Sequence, residues 1–270
     1  MLGFVVPIKP RAFSKDWNYD LQLLNRTAQS ICGQTCNNFK LIIVYNEKPE
    51  ISFEHENIIY AAYPYPPVTV SEIEDYDSYV VKYYNRKYAE RMMDKGKKLL
   101  YGCKIAVEAS CDYIMCIDSD DLISNKLAAF VDKRLEIKKA GWRIKRGYVY
   151  EENSSVLIKN NCIQNINGST HVIRKDLINI PDFSSNIFWN YNLFEAHGYT
   201  YFRIKDFHNE LLEDYPYFGT IYIIHKGNYS NILQLTKEST IKNLVKKIVK
   251  GKLISKSIRK EFHLFKLSTL

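Results

Sequence analysis

An α/β fold with a central, mostly parallel sheet is the architecture this sequence predicts, and three observations predict it. Apolar runs of strand length alternate with helix-spaced segments through roughly the first 120 residues, the order of strand–helix–strand units. Those runs are apolar throughout rather than at every second residue, as in strands buried on both faces. The second half then changes character, with several shorter strand-like segments and one or two helices, so mixed strands extend the sheet and wall a cleft.

The elements follow in order. Leu2 to Ile8 reads as a buried strand stopped by Pro7-Ile8-Lys9-Pro10. Leu21, Leu24, Ala28 and Ile31 fall on one helical face, and Gly33 closes that helix. Lys40 to Tyr45 and Asn57 to Ala62 are further buried strands, followed by a Pro/Tyr-rich loop from Tyr63 to Pro67. Helical spacing returns at Leu99, Leu100, Cys103, Ala106 and Val107. Asp112 to Ile117 is a short strand running straight into Asp118-Ser119-Asp120-Asp121. Later strands are expected at Gly147–Tyr150, Val156–Lys159, His171–Arg174 and Thr220–His225. The α/β unit is expected to span residues 1–236, with a basic amphipathic stretch over 237–270.

Composition narrows the class. The 270 residues are 46% hydrophobic and 25% charged, ordinary for a globular protein, with too little Gly and Pro for a low-complexity chain. No run approaches the roughly 20 apolar residues that cross a bilayer. Pro7 and Lys9 interrupt the first apolar run, so no signal peptide is expected and the expected location is the cytoplasm, at the inner face of the cell membrane. The net charge of +8 is concentrated: eight basic residues and no acid lie from Lys242 to Lys260, leaving the remainder formally neutral. A neutral body is unlike a nucleic-acid binder, whose reading surface is itself basic. Six cysteines without a Cys-x-x-Cys pair argue against a zinc ribbon or thioredoxin-like site and read as reduced and mostly buried.

Asp118, Asp120 and Asp121 carry most of the functional reading. In open α/β sheets, ligands collect beyond the carboxyl ends of strands. Carboxylates crowded there repel one another unless a cation neutralises them, and hard oxygen donors suit Mg²⁺ or Mn²⁺. Such ions share phosphate oxygens with a substrate, which implies a metal-bridged diphosphate leaving group.

The ordered set of motifs resembles nucleotide-sugar glycosyltransferases of the GT-A fold, bacterial family-2-like proteins, over roughly residues 1–230. The matching pieces are Phe4-Val5-Val6-Pro7, then Ser30-Ile31-Cys32-Gly33-Gln34-Thr35, the strand Asn38 to Val44, and Asn46-Glu47-Lys48-Pro49. Asp94-Lys95-Gly96-Lys97-Lys98, taken to open a helix, the Asp-rich motif, and Gly168-Ser169-Thr170 before a strand complete it. The resemblance implies a hexosyl transfer from a nucleotide sugar, a UDP-sugar first, to a glycan or glycolipid acceptor in surface polysaccharide or lipopolysaccharide synthesis.

By the same resemblance, Asp118 would lie near the ribose and the metal, Asp120 on the metal, and Asp121 in support, with His225 as a further metal ligand. Pro7, Asn46, Glu47 and Lys95 would line the nucleotide pocket. The family's acidic pair is replaced here by Trp189-Asn190-Tyr191-Asn192, so the expected acceptor base moves to Glu195 or His197, with Asp206, His208, Glu213 and Asp214 behind them. Trp189, Tyr191 and Trp142 are either walls of an acceptor pocket or core. Lys95, Lys97 and Lys98 have a second reading as a solvated helix start.

Two alternatives stand beside this one. A sugar-phosphate nucleotidyltransferase also pairs carboxylates with Mg²⁺, but Pro7-Ile8-Lys9-Pro10-Arg11 lacks the glycines its phosphate loop needs. A GT-A domain that only binds glycan would have no need of intact carboxylates. Ile241, Leu244, Val245, Ile248 and Val249 recur at helical spacing opposite lysines, so residues 240–270 are expected either to touch an anionic membrane or to pack on the domain.

Overall fold

The computed structural model describes residues 1–67, 86–181, 192–195, 199–227 and 251–267. The elements of the first half are β1 (Leu2–Pro7), α1 (Trp17–Cys32), β2 (Phe39–Tyr45), β3 (Ile58–Ala62), α2 (Arg86–Glu108), β4 (Tyr113–Cys116), β5 (Leu122–Ile123) and α3 (Leu127–Asp132). The second half holds β6 (Gly141–Arg143), β7 (Arg146–Glu151), β8 (Val156–Asn160), β9 (His171–Arg174), α4 (Asn192–Glu195), α5 (Thr200–His208), β10 (Glu213–Asp214), β11 (Phe218–Ile224), β12 (Gly251–Leu253) and α6 (Lys256–Phe262).

The expected fold class is the one observed. A seven-stranded sheet runs β10-β6-β9-β4-β1-β2-β3, and its first-half strands are all parallel. β9 lies antiparallel to both β4 and β6, which supplies the mixed character of the second half. A second, five-stranded sheet runs β12-β8-β7-β11-β5.

Strand β1 shows why the central strands are apolar throughout. All six of its residues are buried. Leu2, Phe4 and Val6 pack in the layer that holds Leu24, Ala28 and Ile31 of α1, while Val5 packs with Leu99, Leu100, Cys103 and Ala106 of α2. Successive side chains point to opposite faces, so a strand with a helix over each face needs an apolar residue at every position. Gly102 lets α2 lie close against the sheet: a Cβ there would come 2.3 Å from Val5 Cγ1 and 2.8 Å from Val44 Cγ2. At the start of α1, Asp16 caps the helix by accepting the Tyr19 amide at 3.0 Å.

One expectation is corrected, and two readings left open are decided for the described residues. Asp94 to Lys98 do not open a solvated helix; they lie inside α2, and Asp94, Lys97 and Lys98 are buried. Of its two readings Trp142 takes the core one: it is 1% exposed, with ring centroids 5.0 Å from Tyr113 and 5.5 Å from Phe130. From Gly251 onward the basic stretch is part of the domain rather than a separate segment. β12 pairs antiparallel with β8, and Ile258, Phe262 and Leu264 are buried against Tyr148, Leu157 and Ile221. The expected apolar stripe over 241–249 lies outside the described residues, as do Trp189, Tyr191 and His197. No helix among the described residues is long and apolar enough to cross a membrane.

Candidate functional site

The acidic run is the crossover between the two sheets. β4 ends at Cys116 in the first sheet, and β5 begins at Leu122 in the second, so Asp118 to Asp121 bridge them at the carboxyl edge of the parallel strands. The crossover is held from several directions. The Asp118 amide donates to Ser169 Oγ at 2.8 Å, and the Asp121 amide closes a turn on the Asp118 carbonyl at 3.1 Å. Thr27 Oγ1, on α1, donates to the Ser119 carbonyl at 3.0 Å. Further along α1, Ser30 Oγ donates to the Ile123 carbonyl at 3.1 Å and accepts the Ile123 amide at 2.9 Å. Gln34 spans the next turn: its Nε2 donates to the Ser124 carbonyl at 3.0 Å, and its Oε1 accepts the Ala128 amide at 2.8 Å.

Carboxylate oxygens of Asp118, Asp120 and Asp121 lie within 4.8 Å of one another. Asp121 is 1% exposed, and neither of its oxygens has a hydrogen-bond partner among the described residues. Burial, then the charges of Asp120 and Asp118, push its carboxyl well above the usual carboxylate range, against the opposing pull of the Ser169 side chain and of Lys95. A buried anion without a partner is strongly unfavourable. Either a proton or a cation must resolve it, and an all-oxygen donor set suits a hard divalent ion. The residues present therefore fit Mg²⁺ or Mn²⁺.

His225 lies just past β11, which pairs antiparallel with β5 and so returns the chain to the acidic run. Its Nδ1 accepts the Gly227 amide at 3.0 Å, which leaves the ring proton on Nε2. That Nε2 lies 2.8 Å from Asp120 Oδ2, so the imidazole donates to the carboxylate. In this arrangement His225 orients Asp120 at the edge of the acidic run. Tyr19 flanks the pair, its ring centroid 5.5 Å from that of His225. Burial first, then Glu152, push the Tyr19 hydroxyl up to about 12, and the Asp120 charge adds to the rise.

The residues expected around a nucleotide share this edge. Pro7 ends β1, Asn46 and Glu47 follow β2, and Asp118 follows β4; these three strands are neighbours and parallel. Asn46 Nδ2 donates to the Tyr65 carbonyl at 3.0 Å, and Glu47 Oε2 accepts the Arg11 amide at 3.3 Å. Lys95 reaches from α2 to pair with Asp118 Oδ1. Lys98 sits deeper, its Nζ donating to the Ile8 carbonyl at 3.0 Å and to Asp94 Oδ2 at 2.9 Å. Burial lowers its pKa, and Asp94 opposes that shift.

Glu195 ends the short α4. Asp206 and His208 are exposed on α5, Glu213 pairs with Lys139, and Asp214 pairs with Arg143 and Lys145, so none of these four is drawn to the acidic run.

Sequence reasoning missed the fastenings. Thr27 and Ser30 are polar positions at helical spacing on α1, with Gln34 just past its C-cap, a readable signal whose partner was not readable. Arg26, 0% exposed, grips Glu152 at 3.1 and 2.7 Å and donates to the Phe265 carbonyl at 3.0 Å. That ion pair spans 126 positions of sequence and left no local trace.

No family model matches the chain, and no curated protein matches it. Among solved structures, S. aureus TarS 1-349 in complex with UDP is similar at 12% identity and a TM-score of 0.46, over 83% of this chain and 60% of that one. The same protein in complex with UDP-GlcNAc gives 12% and 0.46, over 84% and 60%. A putative nucleotide-diphospho-sugar transferase from Desulfovibrio desulfuricans G20 gives 10% and 0.34, over 89% and 90%. The chain thus spans about 60% of the TarS 1-349 length. Likenesses this distant carry no activity across.

Proposed function

We propose that this chain is a metal-dependent glycosyltransferase of the GT-A type. It would move a sugar, a hexose in the first instance, from a UDP-sugar to a glycan or glycolipid acceptor of surface polysaccharide or lipopolysaccharide. The observation that supports this reading best is Asp121: a fully buried carboxylate set against two more at the carboxyl edge of a parallel sheet.

Asp118, Asp120 and Asp121 would hold Mn²⁺ or Mg²⁺, which supplies neutralisation of the departing diphosphate. The chain's own part is positioning and charge. His225 sets the direction of Asp120 through its Nε2 proton. Lys95 and the Ser169 hydroxyl hold Asp118 from its side chain and its amide. Pro7, Asn46 and Glu47 line the ends of β1 and β2, where the nucleoside is proposed to lie. Glu195 or His197 is proposed as the group that takes the acceptor hydroxyl's proton.

The test is hydrolysis or transfer of nucleotide sugars, UDP-sugars first, in the presence of Mn²⁺. Asp120→Ala is expected to lower turnover by about 10²- to 10³-fold, the loss typical of removing a preorganised charge-stabilising group. Turnover equal to wild type overturns the reading.

Contact with an anionic membrane through residues 240–270 belongs to the same proposal, because a lipid-linked acceptor sits there. Deleting the whole stretch would also remove β12 and α6 from the domain, so substitutions at Lys242, Lys246, Lys247 and Lys250 are the sharper probe. At about 1 kcal/mol per basic residue, replacing all four with alanine should remove most binding to anionic vesicles. Unchanged co-sedimentation would defeat the membrane contact.

A further inference from the structure

Charge balance at the acidic crossover leaves a requirement that the groups above do not meet. One divalent ion together with Lys95 just neutralises three ionised carboxylates. A diphosphate arriving at that ion would find its own charge uncompensated. Another cation is needed nearby. Lys98 is unsuitable, because it is buried and spent on Asp94 and the Ile8 carbonyl. Lys9 pairs with Asp20 at 2.8 Å, whose carboxylate is itself mostly enclosed.

Lys226 differs. It follows His225 directly, and its side chain is 68% exposed. Its ammonium lies 3.1 Å from Asp16 Oδ2 and 4.6 Å from the centre of the Tyr19 ring. A short chain of contacts links it to the site: Tyr19 sits against His225, and His225 donates to Asp120. Asp16 is itself a fixed holder. Its Oδ1 caps α1 on the Tyr19 amide, which leaves Oδ2 for Lys226, and these two bonds lower its pKa so that it stays ionised. An exposed ion pair of this kind contributes little to stability and exchanges readily for a stronger anion.

From this geometry we propose that Lys226 is a binding residue for the donor's diphosphate, kept at the rim by Asp16 and the Tyr19 face until a phosphate replaces them. The inference rests on the glycosyltransferase reading and assigns the leaving group a residue of the second sheet. A phosphate oxygen offers the ammonium a charge-assisted hydrogen bond, stronger than the solvated pair it gives up. Asp16 and Lys226 therefore have opposite roles toward the nucleotide: one binds it, and the other competes for the binder.

The experiment is isothermal titration of UDP, GDP, CDP and ADP, each with Mn²⁺, into the full chain. The tightest of the four is then carried to variants alongside its nucleoside. Lys226→Ala is expected to weaken the diphosphate by about tenfold and leave the nucleoside unchanged, with Lys226→Arg within about threefold of wild type. Asp16→Asn preserves the helix cap, since Asn caps as well as Asp, and is expected to bind the diphosphate as tightly as wild type or more tightly.

A merely structural latch would make Lys226→Ala and Asp16→Asn weaken binding alike. That result, or diphosphate binding by Lys226→Ala within about twofold of wild type, overturns the proposal. If wild type binds none of the four nucleotides, the glycosyltransferase reading fails and takes this inference with it. If wild type binds, Asp120→Ala does not, and Lys226→Ala binds normally, the inference alone fails.

Discussion

The two sheets approach the acidic crossover from opposite sides, and they are held together by different means. In the seven-stranded sheet, β1, β2 and β4 are apolar and buried on both faces, with α1 and α2 covering them. Burial of that kind is non-directional, so many apolar combinations would serve. In the five-stranded sheet the strand that leaves the crossover, β5, is only two residues long. Directional contacts do more of the fastening there. Ser30 and Gln34 clamp the chain from Ile123 to Ala128, and Arg26 ties Glu152 to Phe265. Glu261 of α6 accepts from the Ser124 hydroxyl at 2.8 Å and pairs with Lys126 at 2.9 Å. The comparison teaches that the first sheet supplies a rigid edge, while the second is keyed to that edge by named polar groups. A carboxylate cluster between them keeps its geometry only while both hold.

That contrast can be broken most forcefully at Arg26. Arg26→Ala leaves Glu152, largely enclosed, without its partner and should destabilise the protein by about 3 kcal/mol or more. Urea unfolding would measure it, and replacing both partners by apolar residues of similar size should restore most of the loss. A change below about 1 kcal/mol would show that the seam does not depend on this pair.

Gln34→Ala comes next and sharpens the comparison. It strands the buried Ala128 amide and leaves the Ser124 carbonyl with the Leu127 amide alone, at a cost of about 1–3 kcal/mol. Because Gln34 holds the chain just past Asp121, Mn²⁺ affinity should fall as well. Lost stability with unaltered Mn²⁺ affinity would mean that the first sheet alone sets the carboxylates.

Much of this arrangement was legible beforehand, for reasons of periodicity. β1 and β4 announce themselves because strands buried on both faces must be apolar at every position, and β2 departs from this only at Lys40; β3, expected to be buried too, is the half-exposed edge strand. The Asp-rich run was found as a local oddity, since three carboxylates within four residues demand an explanation. Lys97 and Lys98 were misread because lysine is so rarely buried that its type argues for solvent; only the Asp94 and Ile8 partners of Lys98 reverse that. The C-terminal stretch stayed open between two readings for a related reason: a basic amphipathic pattern states which face is apolar but not what covers it.

Sequence by itself determined the strand–helix order of the first half and the place of the acidic run at a strand end. Those properties depend on neighbours within a few residues, where spacing and side-chain type suffice. Tertiary structure alone decided that the run bridges two sheets, that His225 points its proton at Asp120, that Lys226 rests on Asp16, and that residues from Gly251 onward close the second sheet. Each of those is a contact between segments about 90 or more positions apart, and no local pattern encodes which distant group will meet which.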